Sequence, residues 1–457
     1  MAQSSSPSAS PPSNPAAQSQ PAQPETHITP AQAQELFRSV DEILNFASQD
    51  TGLPLHHPVK RALVSRDQAM KYIEGRLGSD QDTQRLNRSA LVLKKFGLLP
   101  RDFDLQTFLV ALLREQVAGY YDPKSKTVNL LDWVDADVQK PVLAHELTHA
   151  LQDQDVNLDH WLKDGPRSQK KDSDVQDDEA VAARQAVTEG QAMVVLTDYE
   201  LEPLGKSILD APDIVAAMKT GVTAGSPLFS HAPLYIKDSL TFPYTYGLDF
   251  ERTLLQKKGK DAAFADVLQR PPLNTREVMQ PAVYLAGEHL AHLQPPKLEK
   301  VLGKYWKRVD VGAVGEFDVS VMVEQYAGEN VSKQLWPQWR GGYYYAARPE
   351  KASPDSLALL YLSQWAEPEQ ATKFAGLYAQ SLKEKYKQVD AVRSSGPVPP
   401  LSAGVQVSIA DATTQWNTED GPVFVEPHGK FVLVMEGFDP ATAAKLRQAV
   451  LPPASTP

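Results

Sequence analysis

The sequence predicts an α+β protein, and three patterns along the chain lead to that prediction. From Pro30 onward, apolar residues recur at three- to four-residue spacing, which indicates amphipathic helices. Two β-rich segments separated by a turn follow at 116–133. After Gly303, helical and strand-like segments alternate. We therefore divide the chain into a tail (1–30), a helical N-terminal segment (31–99), a central domain (100–302) and a smaller C-terminal α+β domain (303–457).

Composition excludes several classes of function. The chain has 457 residues, and 42% of them are hydrophobic, which is enough for sizeable cores. The 46 Lys and Arg against 57 Asp and Glu give a net charge of −11, which argues against general nucleic-acid binding because phosphate contacts need clustered cations. Cysteine is absent, so any transition metal must be held by His, Asp or Glu. No apolar run is long enough to predict a transmembrane segment, and the oligomeric state stays open.

The first 30 residues are rich in Pro, Ser, Ala and Gln, and this composition predicts a disordered tail. Their start, MAQSSSPSAS, has neither the basic region nor the apolar region of a signal peptide. A Pro/Ser-rich tail and a cysteine-free chain nevertheless suit an exported bacterial protein. We therefore expect a secreted or periplasmic location.

The N-terminal segment is predicted to be helical. Its first helix is predicted to begin at Pro30, because apolar residues follow at helical spacing: Leu36, Val40, Ile43 and Leu44. Further helices are predicted around 66–77, 80–97 and 104–116.

A β-hairpin and two long helices are predicted in the central domain. The hairpin has strands at 116–121 and 127–133 on either side of a DPKSK turn. Pro141 and the Asp residues before it mark the predicted start of the next helix. A polar stretch at 157–177 is predicted to be a loop, and a helix is predicted at 178–200.

The first of these helices carries the motif that points to chemistry. Its residues His145-Glu146-Leu147-Thr148-His149 form an HExxH sequence. Residues four apart on a helix project from the same face, so both imidazoles can bind one Zn²⁺ while Glu146 reaches a metal-bound water. The metal lowers the pKa of that water, and the carboxylate can take its proton as it attacks a carbonyl.

With this motif the chain resembles the zincin metallopeptidases. The resemblance implies a zincin-like central domain, in which the HExxH helix packs beneath a mixed sheet whose edge strand binds an extended peptide. The hairpin upstream of His145 is then the candidate edge, and a peptide or protein substrate would add to it as another strand. An ordinary hairpin without a ligand role is the alternative.

A catalytic zinc usually has three protein ligands and one open position. The metzincin extension HExxHxxGxxH is absent, because Gln152 stands at the Gly position and Asp155 at the third His position. The gluzincin branch instead takes a glutamate from a following helix, and the resemblance points to Glu189. Small residues beside it, Gly190 and Ala192, are expected to let that helix approach the HExxH helix closely.

Two residues compete with Glu189 for the third position. Glu179 lies ten residues earlier on the same predicted helix, near its polar start, where an acid is expected to serve the helix dipole. His160 is the weaker competitor and is expected to be a loop residue.

Other side chains are candidates for supporting roles. Asp153 and Asp155 are available to orient the imidazoles through their free ring N–H groups. A donor to the developing oxyanion is also expected, as gluzincins use a downstream Tyr or His, and three residues are candidates: Tyr244, Tyr246 and His231.

The predicted function is a zinc-dependent metallopeptidase with one Zn²⁺ per chain held by His145, His149 and Glu189, and with Glu146 as general base. The alternative is a catalytically inactive zinc-binding scaffold that acts through its C-terminal domain. A third possibility is a latent enzyme whose segment 31–95 covers the cleft.

Overall fold

The computed structural model describes residues 27–77, 80–116, 119–162, 178–211, 226–288, 290, 293–392 and 414–451. The predicted tail lies outside the described residues as far as residue 26. The predicted polar loop at 157–177 is wrong at its start, because Leu158–Trp161 is helical, and from residue 163 it lies outside the described residues. Within the described ranges the protein is a mixed α+β structure. A helical N-terminal part precedes a C-terminal part built on a large sheet, as predicted.

The described α-helices, numbered in chain order, are α1 (Pro30–Thr51), α2 (Arg66–Leu77), α3 (Asp80–Phe96), α4 (Leu105–Gln116), α5 (Ala136–Val156), α6 (Leu158–Trp161), α7 (Asp178–Leu201), α8 (Pro227–Ser230), α9 (Leu234–Lys258), α10 (Val267–Gln269), α11 (Thr275–Met279), α12 (Pro281–Ala286), α13 (Glu299–Leu302), α14 (Glu316–Ala327), α15 (Glu329–Leu335), α16 (Pro368–Lys385) and α17 (Pro440–Val450). A π-helix, Ala262–Asp266, precedes α10.

The described strands are β1 (Lys60–Val64), β2 (Tyr120–Asp122), β3 (Thr127–Leu131), β4 (Trp306–Ala313), β5 (Trp339–Pro349), β6 (Ala358–Trp365), β7 (Val389–Val392), β8 (Thr414–Thr418), β9 (Gly421–His428) and β10 (Phe431–Glu436).

A small mixed sheet lies over the HExxH helix. Its order is β1-β3-β2, with β1 parallel and β2 antiparallel to the central strand β3. Alternate side chains of β3 face opposite sides, so Val128 and Leu130 enter the main core while Leu131 packs in a separate cluster with Met70 of α2. Strand β2 is the edge of this sheet on the side away from β1.

Two predicted boundaries in this region are wrong. The first hairpin strand does not begin at residue 116, because the apolar spacing of α4, with Leu109 and Leu112, continues the helix as far as Gln116. Pro141 does not start α5 either. The helix begins five residues earlier, where the Asp135 side chain accepts a hydrogen bond from Asp137 N at 2.9 Å and caps the first turn.

The large sheet is antiparallel and has the order β4-β5-β6-β10-β9-β8-β7. Helices α14 and α16 contribute to a core on one face, and α13 and α17 contribute to a core on the other. Both faces are therefore buried. This explains the nearly continuous apolar sequence of β6, ALLYLSQW.

The N-terminal segment contributes both to the main core with its small sheet and to the core beneath the large sheet. Helix α1 buries Leu36, Val40 and Ile43 in the main core beside α5, and β1 is a strand of the small sheet. Helix α3 instead buries Val92 and Phe96 in the core beneath the large sheet. Removing residues 31–99 would thus remove a strand and apolar side chains from two cores.

Helix α7 occupies the centre of the main core, where it packs against α5 on one side and α9 on the other. This placement decides which side chains reach the HExxH motif. None of the helices in the described ranges combines the length with the apolar composition that a membrane span requires.

Candidate metal centre

Helix α5 presents both histidines of the motif on one face. The ring centroids of His145 and His149 are 4.7 Å apart, and their planes are perpendicular. Their Nε2 atoms face each other at 3.1 Å. This is the arrangement that the four-residue spacing predicts.

Helix α7 brings Glu189 to the same point. Its Oε2 lies 3.1 Å from the Nε2 of His145 and 3.6 Å from the Nε2 of His149. Atoms that lie about 2.0–2.2 Å from a tetrahedral zinc are roughly 3.3–3.6 Å from one another. The observed separations of 3.1, 3.1 and 3.6 Å lie within this range or slightly below it. The three side chains therefore converge nearly as ligands of one metal ion would, and no other group of three or more His, Asp or Glu among the described residues does so.

The donor atoms fit a divalent cation chemically as well. Two imidazole nitrogens and a carboxylate oxygen converge on one point, and the buried Glu189 Oε2 has no well-oriented hydrogen-bond donor among the described residues. A divalent cation at this point would be a common partner for all three atoms. The ligand side chains keep 11% (His145), 14% (His149) and 16% (Glu189) of their surface exposed, so the centre is nearly buried but accessible from solvent.

The pKa values of His149 and Glu189 are both shifted by the charge of the neighbouring groups. Burial lowers the pKa of His149, but Glu189, with smaller contributions from Glu146 and Gln152, more than offsets this and raises that pKa to about 9. Burial raises the pKa of Glu189, but His149 and His145 hold it well below its usual value. Glu189 is therefore ionised across the neutral range, as a metal ligand must be.

The motif glutamate lies between the helix and the edge of the small sheet. The Glu146 Oε2 accepts a hydrogen bond from the backbone N–H of Tyr121 in β2 at 2.7 Å. Burial is the main cause that raises the pKa of Glu146 above its usual value. A carboxylate whose proton affinity is increased in this way suits the role of a base beside the metal position.

The residue that orients His149 is Gln152, and the prediction of Asp153 or Asp155 is wrong. The Gln152 Oε1 lies 2.9 Å from the His149 Nδ1. Asp153 is occupied elsewhere, since its Oδ2 accepts from the Tyr121 hydroxyl at 2.7 Å, and Asp155 is 3.5 Å from Gln269 Nε2. The helical spacing alone indicates Gln152 as a candidate, because a residue three positions after His149 lies on the same helix face.

The small residues beside Glu189 do permit close helix packing, but the helix at closest approach is α9 rather than α5. A Cβ atom on Gly190 would lie 2.4 Å from the carbonyl carbon and oxygen of Gly247. A Cβ on Gly247 would lie 2.2 Å from the carbonyl oxygen of Ala186. Helix α7 is thereby held against α9 with Glu189 directed to the histidines.

Tyr244 of α9 reaches this group. Its ring lies 6.3 Å from the His145 ring, at an interplanar angle of 27°. The Glu189 carboxylate, followed by burial, raises the pKa of Tyr244 well above its usual value, so the hydroxyl stays protonated and can donate. Pro243 lies inside the same helix, directly before it.

The other two oxyanion candidates lie in different surroundings. Tyr246 is about 200° further around α9 and packs against Phe242, with a ring separation of 5.3 Å. His231 is exposed at the end of α8, and its Nδ1 lies 2.8 Å from the Pro227 carbonyl oxygen and 3.0 Å from the Ser230 hydroxyl. The structure thus brings Tyr244, but not these two, to the ligands.

The two competitors for the third ligand position are also placed elsewhere. Glu179 is buried, but its Oε2 accepts hydrogen bonds from Thr275 N at 3.1 Å and from the Thr275 hydroxyl at 2.8 Å. His160 is exposed on the short helix α6.

No family model, curated protein or solved structure matches the chain. Fold and site together define an α+β protein with a buried two-histidine, one-glutamate group that can hold a metal ion.

Proposed function

We propose that this protein is a zinc-dependent metallopeptidase with a zincin-like central domain. The observation that carries the proposal is the convergence of His145, His149 and Glu189 beside Glu146. Two histidines and a carboxylate that leave one coordination position free are typical of catalytic rather than structural zinc. A structural site has no use for a buried carboxylate of raised pKa next to the metal position.

Zinc bound here would polarise a substrate carbonyl and activate a water molecule. Glu146 would take the proton of the attacking water and pass it to the leaving amine. Tyr244 would donate a hydrogen bond to the oxygen on which negative charge develops. Its protonated hydroxyl and its position beside His145 support this role.

The edge strand β2 supports a peptide as the substrate. Its outer edge, which pairs with no other described strand, lies beside the site, because the Tyr121 N–H reaches the Glu146 carboxylate. An extended peptide that pairs with this edge would pass over the metal position with its carbonyl groups presented in sequence.

Two variants test the proposal. Wild-type protein is expected to contain about one zinc per chain by elemental analysis and to cleave a library of unstructured peptides. Glu189→Ala is expected to lose most of the zinc. Glu146→Gln is expected to keep the zinc and lose cleavage, because the amide cannot accept the proton.

Glu179→Gln serves as the control, since Glu179 lies on the same helix as Glu189 but bonds to Thr275, and it should keep both zinc and activity. Cleavage by Glu146→Gln would exclude the mechanism. Zinc binding by a wild type that cleaves no peptide in the library would favour the inactive zinc-binding scaffold instead.

A further inference from the structure

Two buried glutamines connect the metal-site histidine to a distant turn of the chain. The Gln152 Oε1 lies 2.9 Å from the His149 Nδ1, and its Nε2 donates to the Gln191 Oε1 at 2.8 Å. The Gln191 Nε2 donates in turn to the carbonyl oxygens of Ala263 at 2.7 Å and Phe264 at 3.1 Å. Both glutamine side chains are fully buried.

The far end of this chain is the π-helix Ala262–Asp266. The wider turn of a π-helix disturbs the regular hydrogen-bonding of the backbone, and such turns occur often at functional sites. Its two buried carbonyl groups find their donor in the Gln191 amide. A carbonyl oxygen can only accept, so this end of the chain has a fixed polarity.

We infer that these two glutamines form a relay through which the π-helix fixes the tautomer and orientation of His149. The carbonyls at residues 263 and 264 require the NH₂ group of Gln191, which turns its oxygen toward Gln152. Gln152 must then present its own NH₂ group, which turns its oxygen toward His149. The His149 Nδ1 therefore always carries a proton, which leaves the Nε2 as the ring nitrogen that can give up its proton and bind a metal.

A separate hydrogen bond fixes the Gln152 amide in the same orientation. The Gln152 Nε2 also donates to the backbone carbonyl oxygen of Thr188 at 3.0 Å, one residue before Glu189. Reversing either amide would place oxygen against carbonyl oxygen in a buried region, which leaves acceptors unpaired. The relay thus links both metal-binding helices, α5 and α7, to the π-helix.

The two histidines of the site differ in the surroundings of their Nδ1 atoms. The Nδ1 of His145 is buried and has no hydrogen-bond partner among the described residues, in contrast to that of His149. The relay therefore acts on one of the two histidines. Gln152 and Gln191 are positioning residues, since they act on the metal through His149.

Three variants test the relay: Gln152→Met, Gln191→Met and the double variant. They keep the length of the side chain and remove its hydrogen bonds. We expect Gln152→Met to weaken zinc binding about 10- to 100-fold in a chelator competition. Gln191→Met should weaken it in the same direction, and the double variant should bind no more weakly than Gln152→Met, because both changes break one chain of bonds.

A second readout separates positioning from general destabilisation. In zinc-loaded wild-type protein, NMR should detect the His149 Hδ1 proton in slow exchange with solvent. Gln191→Met should make that exchange faster although Gln152 is intact. Should this variant fail to fold, Gln191→Asn replaces it, because the shorter amide cannot span from Gln152 to the π-helix.

Gln154→Met is the matched control. Gln154 also lies on α5, but its amide contacts the exposed backbone of His56 and His57, so zinc affinity should not change. A folded Gln191→Met protein with wild-type zinc affinity and wild-type Hδ1 exchange would overturn the relay, and so would additive losses in the double variant. The relay rests on the proposed zinc site, but a wild type that binds no zinc would instead contradict the proposed function.

Discussion

Gly190 of α7 and Gly247 of α9 pack so closely that a Cβ on Gly190 would lie 2.4 Å from the Gly247 carbonyl group. The contact lies directly beside Glu189 of the candidate metal site, so a displacement of α7 here would move that carboxylate relative to the histidines on α5. Gly190→Ala must push the two helices apart. We expect it to lower the free energy of unfolding by about 1–3 kcal/mol and to weaken zinc binding.

The control for this prediction is Gly75→Ala on α2, where no heavy atom lies within 4 Å of the added Cβ. That change should leave zinc binding unaltered and add up to about 1 kcal/mol of stability through helix propensity. Chemical denaturation and chelator competition measure both quantities. A Gly190→Ala protein of unchanged stability would contradict the close packing.

Tyr244 and Tyr246 provide a matched pair of substitutions on one helix. Tyr244→Phe removes the hydroxyl beside Glu189, and we expect kcat to fall about 10²- to 10³-fold while the zinc content stays the same. Tyr246→Phe alters a ring that packs against Phe242, and it should leave kcat close to the wild-type value. Steady-state kinetics on one cleaved peptide gives kcat for both variants, and their zinc content is measured in parallel. Equal losses in the two variants would argue against an oxyanion role for Tyr244.

Glu179 gives a pH-dependent prediction at the junction between α7 and α14. Burial, followed by repulsion from Asp318, raises the pKa of Glu179 to about 8. Because the folded-state pKa lies above the unfolded value, the protein loses stability as the pH rises toward and through 8. Glu179→Gln removes this cost. We expect the variant to be more stable than the wild type. This difference in the free energy of unfolding should be about 2–4 kcal/mol larger at pH 9 than at pH 5.

Glu200→Gln, at the exposed end of the same helix, should instead follow the wild-type pH dependence. Urea denaturation at pH 5, 7 and 9 tests both variants. If wild type and Glu179→Gln changed in parallel across this range, the buried carboxyl group would not carry the raised pKa.

Short-range patterns in the sequence were sufficient for part of the candidate site. The positions of His145, Glu146 and His149 on one helix follow from a four-residue spacing, which depends on the backbone alone. The edge hairpin was also predictable, because Asp122 caps its own turn through Ser125 N at 3.2 Å. The start of its first strand is not predictable in this way, because α4 ends only a few residues before β2 begins.

Contacts between distant segments were beyond the sequence patterns. No local pattern indicates strand β1, because it pairs with β3, and the paired residues Lys60 and Thr127 are far apart along the chain. Gly190 was expected to serve contact with α5, but nothing local indicates that Gly247 lies opposite it. The Gln191 amide donates to a π-helix that no residue pattern predicts.

Protons should compete with zinc at this site, and the direction of the competition follows from His149. Its pKa is raised to about 9 by Glu189, so the imidazole must lose a proton before it can bind the metal at neutral pH. We expect the apparent zinc affinity to rise about tenfold per pH unit between pH 7 and 9 and then to level off. Chelator competition at several pH values measures this slope, and calorimetry in two buffers of different ionisation enthalpy measures the released proton. Glu189→Gln removes the charge that raises the pKa, so its weaker binding should lose most of the dependence above pH 7. An affinity that is flat from pH 7 to 9 in the wild type would show that His149 is already neutral there.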